Sequence, residues 1–186
     1  MTPATNNRTP SAAIVQQLQT SIQALTLADG ITPAFGAVRL FDQESLVEAF
    51  KWLALADPRV CVIVPLDEHF EEKASHGTKL VITRLLPVAI LISDRVIGDR
   101  VTALYGNATA QPPVIGAYGL YELVLPVVTG AIVTAPFKAV SVPINASLFV
   151  VKDKQQTNLP GRSAIALEVQ VRGGSLEANI GPGPVI

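Results

Sequence analysis

Two segments near the C-terminus alternate apolar and polar residues with a period of two. In 164–172, one side of the alternation holds Ile165, Leu167, Val169 and Val171. In 140–151, one side holds Val140, Val142, Ile144, Ala146, Leu148 and Val150. Because successive side chains of a strand point to opposite faces of a sheet, both segments predict strands with one apolar face. The connection between them, about 152–163, is longer than a tight hairpin needs and is typical of a functional loop.

Helical spacing of apolar residues marks three earlier segments, at about 11–27, 42–56 and 115–134. Pro10 suits the first position of the first helix, because its nitrogen would have no intrahelical partner there. The apolar stripe of that helix holds Ile14, Leu18, Ile22 and Leu25. The third segment is apolar on nearly every side, which predicts a helix that is buried nearly all round and kinked at Pro126.

Apolar runs between these helices predict further strands. "AVRLF" (37–41) and "VCVIVPL" (60–66) are short, and the second is apolar enough for a strand buried on both faces. "KLVITRLLPVAILISDRV" (79–96) is longer, and Pro87 within it predicts a bulge or bend. The polar segments 67–78 and 98–114 are interpreted as loops. The order of elements predicts an α+β fold, with a mixed, mostly antiparallel sheet flanked by helices and a long C-terminal β-hairpin.

The length of 186 residues predicts one domain rather than two. Residues 1–10 lack the apolar core of a signal peptide and are expected to form a short disordered leader. Residues 11–173 would form the domain. The glycine- and proline-rich residues 174–186 are expected to be an extended C-terminal arm.

Composition bears on how the surface is used. Charged residues make up only 16% of the chain and hydrophobic residues 49%, whereas roughly 25% charged is usual. Either the core is large or partners cover much of the surface, and the concentration of polar residues in expected loops favours partners. The net charge of −1 provides no field that would attract nucleic acid. Residues 114–135 are long enough to span a membrane, but Glu122, Pro126 and the lack of basic flanks favour a buried helix.

His69 and His76 raise the question of a metal site in the polar segment 67–78. The same segment holds the carboxylates of Asp67, Glu68, Glu71 and Glu72. The spacing of the two histidines matches no usual zinc pattern, and the segment has no HExxH motif. We therefore interpret 67–78 as a solvated acidic loop and predict no metal site.

Catalytic chemistry is equally weak in the sequence. Glu71 and Glu72 could form an acid–base pair, but adjacent carboxylates on a loop are usually only solvated. Cys61 lies inside "RVCVIVPL", which is typical of a buried and unreactive thiol. The chain has neither a G-x-S-x-G motif nor a phosphate-binding glycine motif. We predict that it is not an enzyme and has no catalytic or cofactor-binding residue.

The long connection between the last two strands is the best candidate for contact with another protein. Its polar residues include a local basic cluster and two glutamines. The predicted protein-contact residues are Lys152, Lys154, Gln155, Gln156 and Arg162. The alternative is that these side chains only keep a surface loop soluble.

The layout as a whole resembles the tail terminator (tail completion) proteins of long-tailed bacteriophages, including Mu-like tail proteins. The resemblance covers roughly 11–173. It is carried by an N-terminal helix, the strand "CVIVPLD" leading into a charged segment, the strand "TKLVITRLLPVAILISDR", the helix "GAYGLYELVLPVVTGAI" and the hairpin "AVSVPINASLFVVKD…GRSAIALEVQVRGG". The signature is one of architecture rather than of invariant residues. The apolar helix 115–134 and the residues after Gly173 depart from it.

The resemblance implies a structural virion protein of the tail and neck, assembled in the host cytoplasm. Such proteins form a hexameric ring that caps the tail tube, ends its polymerisation and meets head-completion proteins. In contractile tails the ring also meets the sheath. DNA passes through the lumen without being read, and no cofactor or membrane contact is implied. The alternatives are another head–tail joining (neck) protein, or a small-molecule-binding or enzymatic α+β domain, which size in solution would distinguish.

Overall fold

The computed structural model describes residues 10–43, 45–56, 58–76, 79–95, 99–111, 113–134, 137–151 and 162–179. The helices are α1 (Pro10–Gln23), α2 (Leu46–Leu55), α3 (Arg100–Tyr105) and α4 (Gly116–Val127). The strands are β1 (Ala37–Leu40), β2 (Val60–Pro65), β3 (His69–His76), β4 (Lys79–Ser93), β5 (Gly130–Thr134), β6 (Phe137–Val151) and β7 (Arg162–Asn179).

All seven strands belong to one sheet in the order β1-β2-β4-β7-β6-β5, and β3 pairs with the first half of β4. Among the strands of the described residues, β1 and β2 run parallel and the remaining pairs are antiparallel. The long strands β6 and β7 form an antiparallel hairpin. These findings confirm the predicted fold class.

The helices cover the sheet unequally. α1 and α4 pack on one face over a large core that draws on β1, β2, β4 and β7. α2 packs on the opposite face over a smaller cluster around β2 and the end of β4, with Ala49 and Leu53 facing inward. β2 lies between both clusters, and its residues from Val60 to Val64 are almost completely buried, as its apolar run predicts. The second face is therefore covered only in part.

Pro87 disturbs the sheet less than the sequence predicts. On one side of β4, β2 pairs with 88–93 and β3 pairs with 79–85, so Pro87 lies opposite the gap between them. Its carbonyl accepts from the backbone N–H of Leu66 on that side. The nitrogen and carbonyl of one strand residue point the same way, so the missing N–H costs no bond to β7. The irregularity between β4 and β7 lies instead between Thr83 and Arg84.

The predicted helix 115–134 is too long. α4 ends at Val127, and Gly130–Thr134 is the strand β5. Pro126 stands in the last turn, where it terminates the helix rather than kinking its middle, and Gly130 turns the chain with φ +108. The prediction of burial nearly all round is also wrong, because Tyr118, Glu122 and Pro126 form an exposed side. Among the described residues, no helix is both long and apolar enough to cross a membrane.

Two segments that were predicted as loops contain regular structure. His69–His76 forms β3, because β4 offers it an unpaired edge, and its charged residues are acceptable on an edge strand. Residues 98–114 contain α3. The Asp99 carboxylate caps this helix by accepting from the backbone N–H groups of Val101 and Thr102, both at 3.0 Å. The cap helps to stabilise a helix that is too short to show a clear apolar stripe in the sequence.

The apolar face predicted for β6 is divided between both faces of the sheet. The register shifts between Pro143 and Asn145, so the alternation reverses within the strand. Before the shift, Val142 stands opposite Gln170; after it, Leu148 stands opposite Ile165 on the other face. In the first half the buried residues are Ala139 and Ser141. The Ser141 hydroxyl donates to the carbonyl of Val128 at 2.7 Å, which explains why a polar residue is buried there.

The alternation in β7 is confirmed, because Ile165, Leu167, Val169 and Val171 are all buried. β7 continues to Asn179 and pairs there with Lys79 of β4. The first part of the expected C-terminal arm is thus a strand, whereas 180–186 and the leader 1–9 lie outside the described residues. The division into leader, domain and arm stays a prediction.

Candidate subunit interface

The outer side of β6 has the longest open edge in the described part of the sheet. β5 pairs only with 137–141 of β6. From 142 to 151, β6 has β7 on one side and no strand among the described residues on the other. We call the outer side of 142–151 the β6 edge. Backbone groups along such an edge can pair with a strand of another chain.

Apolar side chains are exposed along this edge and just before it. Val140, Val142, Ile144 and Leu148 are 47%, 45%, 54% and 47% exposed. No charged residue occurs between 139 and 151. Edge strands are commonly protected by charges, prolines or bulges. Within 142–151, Pro143 and the register shift beside it are the devices of this kind.

Packing behind the β6 edge holds it in place. Phe149 meets Phe50 of α2 edge-on, with ring centroids 5.9 Å apart. On the other face, Ile165 of β7 packs against Leu104 of α3 and Ala117 of α4. β6 and its neighbour β7 are therefore anchored to helices, one on each face of the sheet.

Arg162, one of the predicted contact residues, lies in the interior. It is 5% exposed. Its Nε donates to the Ser93 hydroxyl at 2.6 Å, and its Nη1 donates to the carbonyls of Leu53 and Ala56 at 3.0 and 2.7 Å. The guanidinium therefore caps the C-terminus of α2, which is a favourable place for a cation. Its burial weighs against contact with a partner through this side chain.

The remaining predicted contact residues, Lys152, Lys154, Gln155 and Gln156, lie outside the described residues. Their role in protein contact stays a prediction. Residues 162 and 151 are paired across the hairpin, so the connection joins the paired ends of β6 and β7.

The outer edge of β1 is closed by side chains from α1. Gln23 Oε1 accepts from the backbone N–H of Val38 at 3.1 Å, and Gln19 Nε2 donates to the carbonyl of Val38 at 3.0 Å. The Val38 peptide groups are thus satisfied without a neighbouring strand. Gln19 and Gln23 are separated by one helical turn, so the sequence places them on one side of α1, but it does not show that this side meets β1.

The residues weighed for metal binding or catalysis lie apart from the β6 edge. His69 and Glu71 are exposed on β3. Glu68 accepts from the Ser11 hydroxyl and pairs with Arg84 Nε, both at 2.8 Å, which ties the start of α1 to β4. Within the described residues, no group of three or more His, Cys, Asp or Glu side chains could hold a metal ion.

Cys61 and Asp42 show how the fold affects reactive groups. Burial raises the pKa of the Cys61 thiol far above its ordinary value, so the thiol stays protonated and unreactive. Asp42 lines a shallow groove of about 280 Å³ between the start of α1 and the ends of β1 and β2. Hydrogen bonds from Ser45 lower the pKa of Asp42, so it is a poor proton donor near neutral pH.

A second apolar surface lies on the helices over β7. Tyr105 of α3 and Tyr118 of α4 stack with ring centroids 5.4 Å apart, and both are exposed. Val101, one turn before Tyr105, is 67% exposed. These side chains form an exposed apolar patch on α3 and α4.

No family model and no curated protein matches the chain.

Proposed function

We propose that this chain is a structural subunit that assembles with copies of itself into a ring, and that the ring is a bacteriophage tail terminator. In this role it would cap the tail tube, end tube polymerisation and join the tail to the neck. The observation that supports the proposal most is the β6 edge, an uncharged strand edge flanked by exposed apolar side chains. Such an edge suits a subunit whose surface is completed by another chain.

The α+β architecture adds support, because it is the one expected from the resemblance to tail terminator proteins. The low charged fraction of 16% agrees with a chain that buries much of its surface in an assembly. In a cyclic ring every subunit uses the same two different surfaces, one toward each neighbour. The β6 edge would be one of these surfaces.

Imaging and mass measurement test the proposal. The purified chain is examined by negative-stain microscopy and light scattering, alone and with the tail tube protein. We expect rings of six copies, and tubes that carry one ring at the end and stop growing. A chain that stays monomeric at high concentration, both alone and with tube protein, would overturn the proposal.

Two variants connect assembly to the β6 edge. Leu148→Lys places a charge on the edge, and we expect it to abolish rings while the monomer stays folded. Val47→Lys is the matched control, because Val47 is also an exposed apolar residue, 66% exposed, but lies on α2. Rings that form equally well from both variants would show that assembly does not use the β6 edge.

A further inference from the structure

The β6 edge and the outer edge of β1 lie in the same rows of the sheet. Reading the register across the strands, Val38 of β1 is level with Cys61, Ile92, Ile165 and finally Leu148 of β6. Arg39 is likewise level with Ser147, and Leu40 with Ala146. The two edges are therefore at the same height on opposite sides of one sheet.

The strand directions and faces also agree. β1 is parallel to β2, and three antiparallel steps lead from β2 through β4 and β7 to β6, so β6 runs antiparallel to β1. A second copy set beside the first without inversion would present its β1 antiparallel to the β6 edge. Arg39 and Ser147 would lie on the face that carries α2, and Val38 and Leu148 on the face that carries α1.

What stands in the way is the pair of glutamines on α1. The N–H of Phe41 donates to Ile63 of β2, so Val38 directs its own peptide groups outward. Those groups are bonded to Gln23 and Gln19. A strand that added to β1 would have to replace both hydrogen bonds.

We infer that the β6 edge of one copy pairs with β1 of the next, with Leu148 opposite Val38, and that Gln19 and Gln23 hold this contact off in the free chain. The inference rests on the proposed ring and names the surfaces that meet in it. Because 139–151 is uncharged, the exposed Arg39 meets no like charge on the edge it joins.

The size of the contact favours closure into a ring. β1 has only four residues, so pairing along it covers much less than the roughly 1,000 Å² of a stable interface. A pair of copies held by one such contact would dissociate readily. In a closed ring each copy has this contact on both sides, so assembly is expected to be cooperative.

Disulfide cross-linking tests the register. In a Cys61→Ala background, Arg39→Cys and Ser147→Cys are introduced into separate chains, which are mixed and oxidised. Directly opposed residues in neighbouring strands have Cβ atoms about 5 Å apart, near enough for a disulfide after small adjustment. We expect a linked pair that contains one chain of each kind. Arg39→Cys mixed with Asn145→Cys is the control. Asn145 is two residues from Ser147 on the same face of β6, so it should form much less disulfide with position 39.

Association measurements test the glutamines. Gln19→Leu with Gln23→Leu keeps the helix and removes both bonds to Val38. We expect the concentration for half-assembly to fall about tenfold, since two modest hydrogen bonds no longer favour the free chain. Gln17→Leu is the control, because Gln17 bonds Ser21 within α1. An unchanged concentration in the double variant would overturn the role of the glutamines.

The outcomes separate this inference from the proposed function. Rings without the 39–147 disulfide would overturn the β6-to-β1 contact and leave the proposed ring standing. Disulfides between two Ser147→Cys chains alone would also overturn it, in favour of twofold pairing of β6 with β6. A chain that forms no ring under any condition would overturn the proposed function itself.

Discussion

β1 and the second half of β6 border the same rows of one sheet, and their edges are treated in opposite ways. The outward peptide groups of Val38 are bonded to Gln19 and Gln23. The β6 edge has no partner strand among the described residues and is lined by exposed Val142, Ile144 and Leu148. Charged side chains do not protect either edge along its full length, since β1 has one charged residue, Arg39, and 142–151 has none. The difference shows that edge protection here comes from the packing of a neighbouring helix rather than from the strand sequence.

The largest expected effect comes from the residue that braces the strand behind the β6 edge. Arg162→Met removes the donors to Ser93, Leu53 and Ala56 and leaves buried acceptors unpaired. We expect the free energy of unfolding to fall by about 3 kcal/mol in urea denaturation. Arg172→Met, in the same strand but exposed, should change it by less than about 0.5 kcal/mol. Equal losses in both variants would show that the edge is not braced by Arg162.

A smaller effect is expected where the closed edge is opened. Gln23→Ala removes the acceptor of the Val38 N–H. We expect hydrogen exchange of the Val38 amide to accelerate about fivefold, as loss of one hydrogen bond of about 1 kcal/mol predicts. Gln17→Ala should leave that exchange rate unchanged. If both variants exchange alike, the two edges do not differ in the way described.

Substitution on the open edge should barely affect the isolated fold. Leu148→Lys places a charge at a side chain that is 47% exposed, so we expect the free energy of unfolding to change by less than about 0.5 kcal/mol. The same substitution at Leu167, 1% exposed on the next strand, should prevent folding because it buries an unpaired charge. A strongly destabilised Leu148→Lys would indicate that the β6 edge is already covered within the chain.

The smallest expected effect is a loss of amide protection around β1 as pH falls. Hydrogen bonds from Thr32 lower the pKa of Asp29, and those from Ser45 lower the pKa of Asp42, on either side of β1. A lowered pKa in the folded state means that the stabilisation is complete above the ordinary value of 3.8 and is lost as pH falls below it. We expect amides around β1 to lose protection in that range before those of β6, which has no carboxylate between 139 and 151. Hydrogen exchange measured as a function of pH checks this. Loss of protection around β1 and in β6 at the same pH would contradict it.

Much of the fold could be predicted from local patterns. The helical stripe of α1, the buried run of β2 and the alternation of β7 each repeat a period that only one kind of element satisfies. The end of α4 could not be placed, because its apolar residues continue into β5 without a change in hydropathy. β3 was missed since polar residues mark an edge strand poorly, and only its pairing with β4 reveals it.

The sequence and the structure point to adjoining parts of the chain as the candidate interface. The sequence pointed to the connection after β6, and the open edge lies on β6 itself. Arg162 was taken for a surface cation because its neighbours are polar, yet the end of α2 supplies the carbonyls that bury it. Gln19 and Gln23 gave no functional signal, since glutamines on a helix usually face water.

By itself, the sequence determined the fold class and the strongly periodic elements such as α1, β2 and β7, because side-chain period and burial are local consequences of helix and strand geometry. It also determined that residues 139–151, most of β6, carry no charge. Only the tertiary structure decided which edges are open, which side chains close them and which face each half of β6 presents. Those properties depend on the register between distant strands, and one shifted residue is enough to reverse them.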